Sequence, residues 1–316
     1  MDLVQMIFPH CLYEKIGRVL NCIEKIQEIR IRVNHCIFVR TQYEDYKIGK
    51  AGQVYQGKKI ESYSENHNEI FLSEDIQQIL NHLLRNSKYA YQEEIKKGFI
   101  TLEGGHRVGI AGQVVLDEEG RIKTIKDIVF LHIRIAHDVK GIAKGLIKDI
   151  YNGGYVKNCL IISPPGFGKT TLLRDVIREL SDGTNGREYR QCCLIDERGE
   201  LAGVYQGIPQ MDVGKHTDVY SECPKTMGML MAIRAMGPEV IGIDELGGKE
   251  DIEALHYAIR CGCSVIATIH GTSVEDIEKK EYLQTLICEN MFQMYIVIRS
   301  YKHEYEVYTR GDNGNG

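Results

Sequence analysis

A glycine-rich segment at residues 163–171 carries the residue types that hold a phosphate. It reads Ser-Pro-Pro-Gly-Phe-Gly-Lys-Thr-Thr and follows an apolar run at 159–162. Glycine tolerates the backbone angles that let N–H groups curl around a phosphate. A lysine at this place can reach the β- and γ-phosphates, and the next hydroxyl is placed to ligate Mg²⁺. The segment predicts that the chain binds ATP and Mg²⁺, with Thr170 as a metal ligand, through Pro165, Gly166, Phe167, Gly168, Lys169, Thr170 and Thr171.

The surroundings of this segment favour a phosphate loop. The apolar run before it is typical of a strand, and helical spacing follows at Leu172, Leu173, Val176, Ile177 and Leu180. Such a helix adds the positive end of its dipole to the same site. The strict motif has glycine where this chain has Ser163, and the form found here resembles loops of the AAA+ and secretion-ATPase groups. The alternative is a glycine-rich turn with an incidental lysine.

A second apolar run, at 240–243, ends in the adjacent acids Asp244 and Glu245. In a parallel sheet, the end of this strand would lie beside the phosphate loop. Asp244 is then a candidate to hold Mg²⁺ through its water shell, and Glu245 is a candidate to polarise the attacking water. The alternative is a strand followed by two solvated acids, and the presence of the phosphate loop argues against it.

Two further strands end in polar residues that belong to the same prediction. The run at 192–195 leads into Asp-Glu-Arg-Gly-Glu at 196–200, and the run at 264–267 leads into Thr-Ile-His-Gly at 268–271. Because ligands bind at the carboxyl ends of strands in such sheets, Glu197 is a candidate near the γ-phosphate, and His270 is a candidate sensor of it. The alternatives are a charged loop with an Asp–Arg contact and a structural histidine.

The composition is that of a folded protein. The 316 residues allow about two domains. The net charge of −5 argues against tight, sequence-independent binding to nucleic acid. No apolar run approaches the ~20 residues that cross a bilayer, and the N-terminus lacks the features of a secretory signal. We therefore expect a cytoplasmic protein whose ten cysteines are reduced and mostly buried.

The hydrophobic pattern changes part-way along the chain. Helical spacing at 12–26 precedes a strand at 29–33, a hairpin partner at 36–39, a polar loop at 56–70 and a helix capped by Ser73. Alternating apolar residues between 98 and 136 indicate an antiparallel meander. From about residue 140, strands alternate with helices, as in a parallel sheet, and a hairpin is expected at 291–299 and 304–309. The pattern predicts an α+β domain at 1–138, an α/β phosphate-loop domain at 139–310 and a disordered tail at 311–316.

The order of these segments resembles one family, the type II/IV secretion and pilus-retraction ATPases. The shared segments are the phosphate loop and residues 196–200, 234–245 and 268–271, while 207–214, 223–225 and 229–236 look like a sporulation branch of that family. The resemblance is strong over 155–275 and looser over 25–145. It implies a RecA-like ATPase domain, an N-terminal domain that packs over the nucleotide, and a ring of identical subunits, a hexamer in that family.

The resemblance also implies a cellular role. Members of the family drive secretion or pilus assembly at the inner membrane, with membrane-embedded partners. For the sporulation branch, the implied role is to power a channel complex between mother cell and forespore, with the ATPase peripheral at the inner face of the membrane.

Several residues match the motifs of the family. Glu245 corresponds to the catalytic glutamate, and Glu197 and His270 match the acidic and histidine boxes. Arg107 and Arg134 match by position basic groups that approach the nucleotide, from the same or a neighbouring subunit. Their alternative role is that of solvated strand arginines.

Two departures from the family are visible. The secretion ATPases usually have glycine where Asp244 stands, and the tetracysteine zinc module of some members has no counterpart in this sequence.

Three other functions are alternatives to an oligomeric motor ATPase. A nucleic-acid translocase shares the core, but the negative charge and the lack of a lysine-rich stripe argue against it. A nucleotide-dependent switch or scaffold does not need the carboxylate of Glu245. A phosphotransferase requires a second substrate pocket or a lid motif, neither of which is visible in the sequence.

Overall fold

The structure is a computed structural model that describes residues 2–57, 69–85, 91–152, 154–183, 186–280, 283–300 and 304–309. The chain divides into two compact units, Met1–His137 and Asp138–Gly316. Most of the loop predicted at 56–70, and all of the tail predicted at 311–316, lie outside the described residues. No helix in the described part of the chain is both long enough and apolar enough to cross a membrane.

The N-terminal unit begins with short helical segments. Helices α1 (Leu3–Ile7) and α2 (His10–Leu12) precede a π-helical turn (Tyr13–Gly17) and helix α3 (Arg18–Asn21). The prediction of a helix over residues 12–26 is therefore wrong beyond Asn21, where the last helical segment ends. The chain turns there, with Lys25 at a φ of 52°, before the first strand begins at Ile26.

An antiparallel sheet forms the centre of this unit. Its order is β4-β3-β2-β1-β7-β6-β5, which confirms the predicted hairpin and meander. Alternation along the first strand buries Ile29 and Ile31 fully and directs the intervening arginines to the other face. The strands are β1 (Ile26–Arg32), β2 (Ile37–Thr41), β3 (Asp45–Ile48), β4 (Val54–Gln56), β5 (Phe99–Thr101), β6 (Arg107–Leu116) and β7 (Ile122–Arg134).

Helices α4 (Ser73–Leu83) and α5 (Gln92–Lys96) contribute to the hydrophobic core of this unit. The predicted cap residue, Ser73, is instead the first helical residue, and Leu72 is the N-cap. Oδ2 of Asp75 accepts the N–H of Leu72 at 2.8 Å. The prediction of the helix is confirmed, but its cap comes from a carboxylate that reaches back from the first turn.

The second unit contains a mostly parallel sheet, in the order β12-β11-β13-β14-β10-β15-β16. Only its last strand is antiparallel to its neighbour, which confirms the predicted C-terminal hairpin. The strands are β10 (Cys159–Ser163), β11 (Cys192–Asp196), β12 (Thr217–Ser221), β13 (Val240–Ile243), β14 (Ser264–His270), β15 (Met294–Ile298) and β16 (Tyr305–Thr309). A separate two-stranded ribbon consists of β8 (Tyr151–Asn152) and β9 (Tyr155–Val156).

Helices connect most of these strands, as expected for parallel neighbours. The long helix after the phosphate loop buries Leu172, Leu173, Val176, Ile177 and Leu180, the residues whose spacing predicted it. The helices are α6 (Ile147–Ile150), α7 (Lys169–Asp182), α8 (Lys225–Ala235), α9 (Lys249–Arg260), α10 (Val274–Glu278) and α11 (Gln284–Cys288).

The order of the strands determines which residues can meet at the carboxyl edge of the sheet. Strand β14 lies between β10 and β13, and it pairs with both. One strand therefore separates the end of β13 from the end of β10, yet Asp244 contacts Thr170 at 2.9 Å, so the predicted position beside the phosphate loop is confirmed. The ends of β10, β14, β13 and β11 share one edge, because parallel strands end on the same side.

Candidate nucleotide-binding site

The phosphate loop joins the end of β10 to the start of α7. Gly166 and Gly168 have φ values of 80° and 87°, in the left-handed region that favours glycine. Gly168 is the N-cap of α7, so the N–H groups and the positive dipole of the helix N-terminus lie at the loop. Ser163 is the fully buried last residue of β10, and its hydroxyl donates to the carbonyl of Pro164. Glycine is not needed at 163, because this position belongs to the strand.

Lys169 and His270 make a contact across the edge of the sheet. The pairing of β10 with β14 places His270 opposite Ser163, next to the loop. Nζ of Lys169 lies 3.3 Å from Nε2 of His270, and Lys169 is only 9% exposed. Nδ1 of His270 is buried without a hydrogen-bond partner in the described part of the chain. The contact connects the lysine of the loop to the histidine of the neighbouring strand.

Asp244 accepts hydrogen bonds from two threonine hydroxyls. Oγ1 of Thr170 donates to Oδ2 at 2.9 Å, and Oγ1 of Thr268 donates to Oδ1 at 2.6 Å. Thr170 comes from the first turn of α7, Asp244 from the residue after β13, and Thr268 from β14 between them. The two predicted metal ligands are therefore in direct contact, although one strand separates their elements.

Glu245 adopts an unusual backbone conformation, with a φ of 59°. Non-glycine residues occupy this region at a cost, and such residues concentrate at functional sites. Its N–H donates to Oγ1 of Thr268 at 2.8 Å. Its Oε1 lies 3.1 Å from Nε2 of His270, and its Oε2 lies 2.7 Å from Nη1 of Arg198. Neighbouring side chains thus hold the carboxylate at both oxygens.

The loop after β11 is held by Asp196, which is 1% exposed. Its carboxylate accepts the N–H groups of Glu200, Leu201 and Ala202 at 2.9, 3.1 and 2.9 Å. Burial raises the pKa of Asp196, and these three bonds oppose that shift. Through these three bonds Asp196 stabilises the loop that follows β11.

Arg174 of α7 supports the same loop from the other side. It donates from Nε to the carbonyl of Leu201 at 2.5 Å and from Nη2 to that of Glu200 at 3.0 Å. Burial lowers the pKa of this guanidinium, and the nearby carboxylates, among them Asp196 and Asp244, act in the opposite direction. Two buried side chains, Asp196 and Arg174, therefore hold the residues after β11 in place.

Glu197 points to a different neighbour. Its Oε2 lies 2.6 Å from Nζ of Lys225, at the start of α8, and that lysine also lies 3.8 Å from Asp251 of α9. Its carboxylate therefore joins β11 to the helices α8 and α9. The predicted position of Glu197 near the γ-phosphate stays a prediction.

Arg107 and Arg134 lie in the N-terminal unit, directly opposite each other on β6 and β7. The guanidinium of Arg107 lies over the ring of Phe99, with its central carbon 3.9 Å from the ring centroid, a cation–π contact. Arg134 is exposed. Their predicted approach to a nucleotide stays a prediction.

Thr170 and Asp244 fit a magnesium ion that arrives with a nucleotide. Mg²⁺ takes oxygen ligands and is usually bound through one or two carboxylates together with substrate phosphates. A hydroxyl and a carboxylate in contact match that donor set. No group of three or more His, Cys, Asp or Glu residues suited to a metal occurs among the residues that the structure describes. The fit is to an ion shared with phosphates rather than to a cage of protein ligands.

The sequence matches one protein family over nearly its whole length. Residues 4–313 match the family described as sporulation stage III, protein AA. The chain belongs to this family. Stage III sporulation protein AA of Bacillus subtilis (strain 168) is 39% identical over 272 residues, which are 86% of this chain and 82% of that protein. The predicted resemblance to the sporulation branch is confirmed.

A relative outside the bacteria shares a shorter stretch. Protein SEEDLING PLASTID DEVELOPMENT 1 of Arabidopsis thaliana is 31% identical over 173 residues, 53% of this chain and 24% of that protein.

The fold of this member of the family resembles that of secretion and pilus ATPases. The pilus retraction motor PilT with bound ADP matches with a TM-score of 0.61 and 12% identity, over 99% of this chain and 84% of PilT. The ATPase DotB of Legionella pneumophila matches with a TM-score of 0.53 and 17% identity, over 92% of this chain and 76% of DotB. The RecA-like α/β fold preceded by a smaller α+β unit, as predicted from the sequence, is confirmed.

The sequence did not identify three residues that take part in the site. Thr268 contacts both Asp244 and Glu245, Arg198 contacts Glu245, and Arg174 supports the loop that carries Arg198. Thr268 and Arg198 did lie within the segments that were singled out at the ends of strands. Their position there was the available signal, but their partners depend on which strands are neighbours.

Proposed function

We propose that this member of the stage III sporulation protein AA family is a Mg²⁺-dependent ATPase. The observation that supports it best is the set of contacts among Lys169, Thr170, Asp244, Glu245 and His270 at one edge of the sheet. A lysine and a helix N-terminus suit phosphates, and a nearby carboxylate suits a general base. A site that only bound nucleotide would not need that carboxylate.

Each side chain has a distinct role in this proposal. The N–H groups of the loop, together with Lys169, hold the phosphates, and Thr170 and Asp244 hold Mg²⁺. The ion, when bound, neutralises charge on the phosphates. Glu245 accepts the proton of the attacking water and is the first candidate for the base, with Glu197 as the alternative. His270 orients the carboxylate of Glu245 and links it to Lys169.

The wider role that we propose follows the family and the fold. The protein assembles into a ring, a hexamer by analogy, whose N-terminal units pack over the nucleotide. Arg107 and Arg134 then complete the site, in the same or an adjacent subunit. ATP hydrolysis drives assembly or transport through a secretion-like membrane channel in sporulation, and the protein acts at the inner face of the membrane through membrane-embedded partners.

The decisive experiment measures hydrolysis and binding on the same protein. The wild-type protein should release phosphate from ATP only with Mg²⁺ present. Glu245→Gln keeps the shape of the side chain and removes the base, so turnover should fall by roughly 10²-fold or more while a nonhydrolysable ATP analogue still binds. Glu253→Gln, at an exposed position of α9, is the matched control and should behave like the wild type. Wild-type turnover in Glu245→Gln would move the base elsewhere, and no wild-type hydrolysis would contradict the ATPase.

A further inference from the structure

Arg198 contacts the proposed base and has no part in the roles proposed above. Its Nη1 lies 2.7 Å from Oε2 of Glu245, while Nε2 of His270 lies 3.1 Å from Oε1. The two contacts hold the carboxylate from opposite sides, one from β14 and one from the loop after β11. On this geometry, and resting on the ATPase function proposed above, we propose that Arg198 is a positioning residue that holds Glu245 in a resting orientation and limits basal hydrolysis.

Hydrogen bonds hold the backbone that follows Arg198, while the side chain of Arg198 is largely exposed. The loop is pinned by three N–H bonds to Asp196 and by the bonds of Arg174 to the carbonyls of residues 200 and 201. The side chain of Arg198 itself is 59% exposed, and that of Glu245 is 23% exposed. A long, exposed guanidinium on a rigid loop can release a carboxylate without unfolding anything.

The exposure of the Arg198 side chain also limits how strongly it can restrain Glu245. Ion pairs with one largely exposed partner are weakened by solvent, and they change an equilibrium by about fivefold or less. A restraint of this strength limits a reaction without blocking it. A group that instead stabilised the charge of a phosphoryl-transfer transition state would contribute on the order of 10³-fold. The two roles therefore differ in both the sign and the size of their effect on turnover.

The contacts of the site further indicate that the restraint acts on turnover rather than on binding. Lys169 and Thr170, which are proposed to hold the phosphates and Mg²⁺, contact His270 and Asp244 respectively. Removing the guanidinium leaves these residues and the loop glycines in place. The affinity for nucleotide should then be retained while the carboxylate gains freedom to orient toward water.

The test compares Arg198→Gln with Arg198→Lys and with Arg260→Gln, an exposed arginine at the end of α9 that serves as the matched control. Calorimetry gives the Kd of a nonhydrolysable ATP analogue with Mg²⁺, and phosphate release gives kcat and KM. We expect Arg198→Gln to raise kcat about two- to fivefold, with Kd and KM within twofold of the wild type. Arg198→Lys, which keeps the charge, should return kcat toward the wild-type value, and Arg260→Gln should change nothing.

A double variant separates this restraint from a general loosening of the protein. In a Glu245→Gln background, Arg198→Gln should have no further effect on residual turnover, because its partner is gone. An unchanged kcat in Arg198→Gln alone, or a decrease of any size, would overturn the proposal. Because these outcomes are read against a wild type that hydrolyses ATP, they would leave the ATPase function standing. Absence of wild-type hydrolysis would instead contradict the ATPase itself.

Discussion

A single hydroxyl, that of Thr268, connects the two acids that follow β13. It donates to Asp244 at 2.6 Å and accepts the backbone N–H of Glu245 at 2.8 Å. Thr268 is fully buried in β14, so water cannot replace it in either contact. The same side chain thus orients a proposed metal ligand and fixes the left-handed backbone from which the proposed base extends.

Replacing Thr268 should therefore impair catalysis more than binding. Thr268→Val keeps the volume and removes both hydrogen bonds, which leaves the acids free to shift. Small displacements of catalytic groups reduce rates strongly, so we expect kcat to fall by ~10-fold or more. Affinity for a nonhydrolysable analogue should change little, since Lys169 and the loop remain. Thr268→Ser restores the hydroxyl and should recover most of the activity. Equal kcat in Thr268→Val and the wild type would show that the acids do not depend on this residue.

Local motifs reveal some residues of the site and hide others. Lys169 and Thr170 could be predicted because a loop, a helix N-terminus and two side chains are encoded within a few consecutive residues. The partners of Thr268 and Arg198 could not, because they depend on the insertion of β14 between β10 and β13 and on the path of a loop held by Asp196. Glu197 and Arg198 are adjacent in sequence yet contact Lys225 and Glu245 respectively, a difference in direction that no spacing rule predicts.

Among the secondary-structure elements, the junction of β1, β2 and β7 depends on one carboxylate. Glu28 of β1, 13% exposed at its side chain, accepts from Nε of Arg30 at 3.1 Å. It also lies 2.7 Å from Nε2 of His132 on β7 and 3.3 Å from Nη1 of Arg40 on β2. Burial acts to raise the pKa of Glu28, but the hydrogen bonds from His132 and Arg30 outweigh it, and the pKa is lowered below 4.5. This carboxylate stabilises the sheet in its ionised form.

The lowered pKa predicts a pH-dependent contribution to stability. Because the folded-state pKa of Glu28 lies below its unfolded value of 4.5, its contribution is present above pH 4.5 and is lost as the pH falls through the folded-state value. Glu28→Gln should lower the free energy of unfolding at pH 7 by about 1–3 kcal/mol, and the difference should shrink in acid. Urea unfolding across pH measures both, with the exposed Glu24→Gln as control. A deficit that persisted unchanged in acid would show that packing, not charge, is lost.

The limits of sequence patterns are also visible in the elements. Leu12, Ile16 and Leu20 have helical spacing and are all buried, but the pattern could not show where the helix ends. Ile23 packs against the same core although it lies beyond the end of α3 at Asn21, because a turn can bury an apolar side chain as well as a helix can. Alternation was more informative in the second half of β1, where Ile29 and Ile31 are buried while Arg30 and Arg32 are not.

At the scale of the whole molecule, the family and the fold support different parts of the proposal. Membership of the stage III sporulation protein AA family gives the cellular context, and the likeness to PilT and DotB gives the architecture of two units. Lys169 belongs to one unit, and Arg107 and Arg134 to the other. If these residues act on one nucleotide across a subunit boundary, as we propose for the ring, catalysis must depend on assembly.

Specific activity should accordingly rise with protein concentration as subunits assemble, because arginines supplied by a neighbour can contribute on the order of 10³-fold. A dilution series with size analysis by light scattering measures this rise.

Mixing Lys169→Ala protein with the double variant Arg107→Ala, Arg134→Ala should restore part of the turnover that each lacks alone. Mixed rings contain some interfaces at which an intact phosphate loop faces intact arginines. Mixing Lys169→Ala with Glu245→Gln is the control: both changes lie in the same unit as the loop, so no interface regains a complete site. Flat specific activity across assembly, without rescue on mixing, would show that each subunit is complete on its own.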